Sequence, residues 1–305
     1  MIVVIGSINM DLVLRVPRMP LPGETLAGAA FRTIPGGKGA NQAVACARLG
    51  EPAARVAMIG CLGDDAFGAT LRATLRADGI DERHVATLPG VATGVASILV
   101  DDDGQNTIVV AAGANALLAP VHIDAARALL EQASIVVLQL EIPLETVAHA
   151  IRLAHALGKT VVLNPAPAPA PAAALPSDLL AMVDYLIPNE LEAAMLTGAG
   201  AAHDPAGLAA RLRAAGCGKV LITLGAKGVL AALGDGPARL FAAEAVNAID
   251  TTAAGDTFIG GFSAALAAGR GEAEAIALGQ RAAAISVTRS GAQTSIPHLN
   301  EMEHA

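Results

Sequence analysis

The segment Asp250-Thr251-Thr252-Ala253-Ala254-Gly255-Asp256-Thr257-Phe258 runs into Ile259-Gly260-Gly261-Phe262-Ser263-Ala264-Ala265-Leu266, so a carboxylate stands among small residues where a helical pattern begins. The first N–H groups of a helix lack partners within it, and the helix dipole favours negative charge there. With little bulk at Ala253, Ala254 and Gly255, an anion can come close to that backbone. Phosphoryl transfer needs this setting: fixed donors neutralise the moving phosphoryl while one carboxylate accepts the proton of the attacking hydroxyl. Asp256 suits the second task. The plainer reading is that Asp256 and Thr257 cap the helix.

Two further constellations accompany it. Gly6-Ser7-Ile8-Asn9-Met10-Asp11 follows the apolar run Ile2-Val3-Val4-Ile5. Ligands of open parallel sheets bind beyond the carboxyl ends of the strands. There Asn9 and Asp11 offer an amide and a carboxylate able to bond vicinal hydroxyls, although both types also form ordinary loops. Gly36-Gly37-Lys38-Gly39-Ala40-Asn41-Gln42 opens an apolar helix pattern, with glycines for close approach and Lys38 and Asn41 as donors to a polyol or phosphate. It fits neither the Walker nor the dinucleotide glycine spacing. Gly158-Lys159-Thr160 fails as a P-loop because Leu153 stands where a glycine is required and a strand pattern follows.

The elements that must position these residues alternate between short β-branched runs and Ala/Leu-rich helical patterns, the form of a parallel sheet with helices on both faces. Strands are expected at 2–6, 55–60, 135–139, 160–163, 185–187 and 220–223, and helices at 40–49, 66–77, 144–157, 190–196, 205–215, 257–268 and 272–288. Gly50, Gly79, Gly158, Gly198 and Gly216 each follow a helical run, as C′ glycines do. Four further runs, 12–16, 25–33, 94–100 and 107–111, read as a small separate sheet over the site, spanning segments 12–33 and 94–111 of a single domain. The tract Pro165–Pro171 reads as a stiff surface loop.

Composition narrows the class. The chain has 305 residues, 2% aromatics and no Trp, so its core rests on Ala, Val, Leu and Ile. A net charge of −8 and a pI near 5.3 argue against a nucleic-acid surface and leave any phosphate site to local donors and metal ions. The mean hydropathy of +0.53 reflects abundant Ala; no apolar run is long enough to span a bilayer. Cys46, Cys61 and Cys217 are scattered, and Met1 leads straight into a strand pattern without a signal peptide's features. A cytoplasmic enzyme is expected. The seven histidines show no ligand spacing.

These motifs, together with Pro22-Gly23-Glu24-Thr25, Gly63-Asp64-Asp65, Gln139-Leu140-Glu141, Asn164-Pro165-Ala166-Pro167, Pro188-Asn189-Glu190 and Thr288–Pro297, resemble in order those of the ribokinase-like carbohydrate kinases, the PfkB group. The resemblance implies a three-layer α/β/α domain with a mostly parallel central sheet and a small β-sheet lid. It also implies ATP-dependent phosphorylation of a sugar hydroxyl, with D-ribose at its 5-hydroxyl the expected acceptor and Asp256 the base. Carried over by position, Asn9, Asp11, Gly37, Lys38, Gly39, Ala40, Asn41 and Glu141 would hold the sugar. Asn189 and Glu192 would lie near the phosphates and Mg²⁺, Thr223, Leu224, Gly225, Ala226, Lys227 and Gly228 would line ATP, Ala254 and Gly255 would form the anion hole, and Gln280 would approach the adenine. An activating K⁺ would be held by Asp250, Thr252, Ser286, Arg289, Gly291 and Ser295, mainly through carbonyls, and the lid strands would pair in a homodimer. Read alone, Glu141 is equally a cap for a helix beginning near Pro143, Asp250 a turn residue and Lys227 a solvated lysine. Acceptors such as 2-deoxyribose, fructose, adenosine or pseudouridine, or a sugar-binding protein without catalysis, are the alternatives.

Overall fold

Ile2–Ile5 and Ile135–Leu138 are buried at every position, as a parallel sheet covered on both faces requires. The computed structural model describes residues 1–169, 175–199 and 204–303. In chain order the elements are β1 (Ile2–Ile5), β2 (Asn9–Arg15), β3 (Ala30–Gly36), α1 (Lys38–Leu49), β4 (Val56–Gly63), α2 (Ala66–Ala77), β5 (Asp81–Leu88), β6 (Gly94–Val100) and β7 (Asn106–Ala111). Then come α3 (Pro120–Ala125), α4 (Arg127–Gln132), β8 (Ile135–Leu138), α5 (Leu144–Ala156), β9 (Thr160–Leu163), α6 (Ser177–Leu180), β10 (Tyr185–Leu186) and α7 (Glu190–Leu196). The chain continues through α8 (Pro205–Ala214), β11 (Lys219–Thr223), β12 (Val229–Ala232), β13 (Arg239–Phe241), α9 (Ala254–Ala267) and α10 (Glu272–Ser286).

The main sheet has the order β13-β12-β11-β10-β9-β8-β1-β4-β5 and is parallel except at β12 and β13. Alternation along β1 divides the core: Val3 and Ile5 join the layer built with α3, α4, α5 and α8, while Ile2 and Val4 join that of α1, α9 and α10. The three layers expected from the sequence are therefore present. The second sheet, β3-β2-β6-β7, pairs Asn9 with both Gly36 and Gly94, and Asp11 with Ile34 and Ala96.

Several readings need correction. The strand expected over 25–33 begins only at Ala30, because Pro22-Gly23 turns the chain and Arg18 clasps Glu24, whose carboxylate also accepts the Leu21 N–H. The small sheet also reaches lower than expected, to Asn9 and Gly36. Helix α9 starts at Ala254 instead of Thr257, which puts Asp256 in its first turn. Gly50 is extended (φ −74°), unlike the left-handed Gly79, Gly158 and Gly198. A Cβ on Gly50 would press the Cys46 carbonyl at 2.8 Å, so that position uses the missing side chain alone. Strands β5, β12 and β13 were not anticipated; β5 is an edge strand whose polar Asp81-Glu82-Arg83-His84 start hides the apolar pattern. Pro165 and Ala166 are buried, so the tract is not a surface loop where it begins, and its residues 170 and 171 lie outside the described residues.

Candidate active site

At the carboxyl end of β1 the turn 6–9 meets the start of α1. Gly37 caps that helix with φ 88°, and a Cβ there would lie 2.7 Å from the Asn9 nitrogen; on Gly39 it would lie 2.6 Å from the Ser7 nitrogen. A Cβ on Gly36 would strike Asp11 Oδ2 at 2.3 Å. The glycines expected to admit a ligand thus first admit the chain itself, drawing Lys38 and Asn41 beside Asn9 and Asp11. Glu141, from the loop after β8, does not cap α5. Its Oε2 accepts the Ser7 hydroxyl at 2.6 Å and the Lys38 N–H at 3.1 Å.

Asp256 enters this cluster from α9. Its Oδ2 accepts the Asn41 amide at 3.0 Å and its Oδ1 the Gln42 amide at 2.9 Å, which rules out service as a mere cap. Burial pushes the Asp256 carboxyl above the ordinary carboxylate range, against the pull of Lys38 and the Asn41 and Gln42 donors. Burial also pushes Asp11 up, to about 7, helped by the charges of Glu141 and Asp256. For Lys38 burial opposes the charge, but Asp256, Glu141 and Glu192 prevail and raise its pKa. The arrangement is a half-buried cation facing a cluster of carboxylates.

The cap of α9, Ala253, is left-handed (φ 58°), the only non-glycine with positive φ among the described residues. Such strain costs about 1–3 kcal/mol and persists where the surroundings enforce it. A Cβ added to Gly255 would meet nothing within 4 Å, so this helix start, unlike that of α1, is open. The Gly255 and Asp256 N–H groups have no acceptor inside the helix.

Asn189 and Glu192 form a capping box on α7, the Asn189 Oδ1 accepting the Glu192 N–H and the Glu192 Oε2 the Asn189 N–H, each at 2.8 Å. One Glu192 oxygen is spared. Burial raises the Glu192 pKa, opposed by Lys38 and reinforced by Asp256, so this carboxylate faces the same centre. Asn189, Thr223, Leu224 and Gly225 line a cleft of about 390 Å³. Gly225–Lys227 form a single turn beside it, with Ala226 and Lys227 exposed; Gly228 follows with φ 106°. Gln280, on α10, gives its amide to the Phe241 carbonyl at 2.8 Å.

The segments around Asp250 and Gly291 are tied together. Asp250 Oδ1 accepts the Thr252 N–H and Oδ2 the Gly291 N–H, each at 2.9 Å, and Ile249 donates to the Val287 carbonyl at 2.7 Å. Burial works against ionisation of Asp250, but these donors outweigh it and its pKa is lowered. Ser286 and Ser295 are buried, and Arg289 turns its side chain to Glu301. Among the described residues no group of three or more His, Cys, Asp or Glu could hold a metal ion. One carboxylate with hydroxyls and carbonyls suits a large, weakly hydrated monovalent ion.

Sequence reasoning missed Ser7, Gln42, Asn115, Gln139 and Asn164. Four of them stand inside the quoted motifs, where the glycines and charges drew attention away. Asn115 had no signal: it is buried near the start of the second sheet, accepting the Ile8 N–H at 2.9 Å and donating to Asn9 Oδ1 at 2.7 Å.

A buried carboxylate in the first turn of an open helix N-terminus, at the carboxyl edge of a doubly covered parallel sheet, is the setting a phosphotransferase acting on an alcohol group requires. The family model described as pfkB family carbohydrate kinase matches residues 1–299, and the chain belongs to that family. It is 45% identical to a ribokinase of Haemophilus influenzae over 99% of this chain and 98% of that protein, and 39% identical to a deoxyribokinase of Salmonella typhi over 98% and 96%. The structure of Arabidopsis thaliana ribokinase complexed with ribose and ATP superposes with a TM-score of 0.89, at 30% identity over 99% of this chain and 97% of that one.

Proposed function

We propose that this chain transfers the γ-phosphoryl of ATP to the 5-hydroxyl of D-ribose. The observation that carries the reading is the position of Asp256, a buried carboxylate in the first turn of an open helix N-terminus, in electrostatic reach of Asp11, Lys38 and Glu141. Asn9, Asp11, Asn41 and Glu141 hold the sugar hydroxyls, with Gly37, Lys38, Gly39 and Ala40 forming the floor. Asp256 accepts the proton as the hydroxyl oxygen attacks phosphorus and ADP departs with the bridging oxygen. The N–H groups of Gly255 and Asp256, with Ala254 beside them, take up the charge that develops on the phosphoryl oxygens. Asn189, Glu192 and the Thr223–Gly228 loop face the nucleotide, whose Mg²⁺ offsets phosphate charge.

A K⁺ between the Asp250–Thr252 and Ser286–Ser295 segments would brace the start of α9 through its electrostatic pull on their carbonyls. The edge strand β7, with Ile108, Val109 and Val110 exposed on its two faces, supports pairing of two copies through the small sheets. Three buried free thiols suit a reducing cytoplasm, and no described helix is long and apolar enough to cross a membrane.

An ATP-coupled assay across ribose, 2-deoxyribose, fructose, adenosine and pseudouridine tests the substrate. Ribose should give the highest kcat/KM; turnover of 2-deoxyribose at an equal or higher value would reassign it. Asp256→Asn should lose about 10²- to 10⁴-fold in kcat. Light scattering should give the mass of a dimer.

A further inference from the structure

Two buried glutamines, Gln42 and Gln139, have no role in the scheme above, yet they form a chain of amides ending on the catalytic carboxylate. Gln139 Nε2 donates to Gln42 Oε1 at 2.6 Å, and Gln42 Nε2 donates to Asp256 Oδ1 at 2.9 Å and to Asn164 Oδ1 at 3.2 Å. We propose that Gln42 is a positioning residue that fixes the Asp256 carboxylate for proton transfer, and that Gln139 locks Gln42 in the only amide orientation that can do so.

Donor and acceptor counting fixes the orientation of the Gln42 amide. An ionised carboxylate only accepts, so the Nε2 end of Gln42 must face Asp256 and its Oε1 end must find a donor. Gln139 supplies that donor. With Asn41 on Oδ2 and Gln42 on Oδ1, rotation of the carboxylate is fixed, and the remaining lone pairs point in set directions. Asn41, among the residues proposed to bind the sugar, has a buried Oδ1 with no hydrogen-bond partner among the described residues. Gln42 is fully buried, and among the described residues its amide donates to Asp256 and Asn164.

The cost of the arrangement argues for its use. Gln139 is also fully buried, and its Oε1 has no hydrogen-bond partner among the described residues, a penalty of about 1–3 kcal/mol that an apolar side chain would avoid. Room for that oxygen comes from Gly6, where a Cβ would sit 1.9 Å from it. Three elements, α1, the end of β8 and α9, are thereby keyed to one carboxylate. The charged groups facing Asp256 are Lys38 from α1, Glu141 after β8, Glu192 from α7 and Asp11 from β2. Against three carboxylates and a single ammonium, a neutral donor on Oδ1 favours the ionised base.

The inference depends on Asp256 being the base, and the test separates the two. In Gln42→Met, which keeps length and burial, kcat should fall about 10- to 100-fold, the sugar KM should stay within about threefold, and the acid limb of the kcat–pH profile should move up by about one pH unit. Gln139→Met should move the limb in the same direction by less. A purely structural role would lower the melting temperature and leave the limb in place. Folded Gln42→Met with unchanged kcat and acid limb overturns the proposal, and an unmoved limb in Gln139→Met overturns the lock. If Gln42→Met does not fold, Gln42→Glu sets a second carboxylate against Asp256 and should move the limb further; no movement overturns the proposal. Full activity in Asp256→Asn would instead remove the base itself.

Discussion

Ser7 and Glu141, 134 positions apart, are joined at 2.6 Å, hydroxyl to carboxylate, and the same Glu141 oxygen accepts the Lys38 N–H at 3.1 Å. One carboxylate therefore fastens the turn after β1 to the first residue of α1, holding together the two halves of the proposed sugar pocket.

Removing that fastening should act on the acceptor more than on ATP. Hydrogen bonds to a charged group contribute about 1.5–3 kcal/mol, so Glu141→Ala should raise the sugar KM by about 10- to 100-fold. The KM for ATP should change little. Steady-state kinetics with each substrate varied in turn measures the split.

Asp11 gives a pH dependence of stability. Its carboxyl stands at about 7 in the folded protein against an ordinary 3.8. Between those values the folded chain keeps a proton that the unfolded chain has released, so the stabilisation is complete below about pH 4 and is lost as pH rises through 7. At about 1.4 kcal/mol per pH unit over roughly three units, the loss is on the order of 4 kcal/mol. Asp11→Asn should flatten urea-unfolding stability over this window and make the protein more stable at pH 8, while weakening sugar binding.

Gly39 lies where two backbones touch. A Cβ there would sit 2.6 Å from the Ser7 nitrogen and 2.7 Å from its carbonyl oxygen, and neither can swing aside as a side chain would. Gly39→Ala should cost about 1–3 kcal/mol of stability and displace the sugar-binding turn. Thermal denaturation and the sugar KM report the two effects.

Asp250 holds Thr252 and Gly291 together through one oxygen each. If K⁺ sits where proposed, Asp250→Ala should abolish activation by K⁺ and lower kcat about 10-fold or more, since the strained Ala253 start of α9 would lose that brace. Activity titrated with KCl against choline chloride at constant ionic strength is the measurement; a K⁺ response equal to that of the unsubstituted enzyme would separate Asp250 from the ion.

The sequence by itself determined the layer architecture, because hydrophobic period and glycine punctuation are local: α2, α7 and β9 have the bounds expected from it. It also displayed Asp256, Asn9, Asp11 and Lys38, whose polar groups and small neighbours are visible in a linear string. Only the tertiary structure decided what those residues touch. Glu141 was equally a helix cap until the fold brought Ser7 and Lys38 to it, and Gln42 was one more polar residue on an apolar helix until α9 placed Asp256 against it. The raised pKa values of Asp11 and Asp256 belong to the same class: they come from water excluded and charges gathered across distant segments, quantities that exist only once the chain has closed.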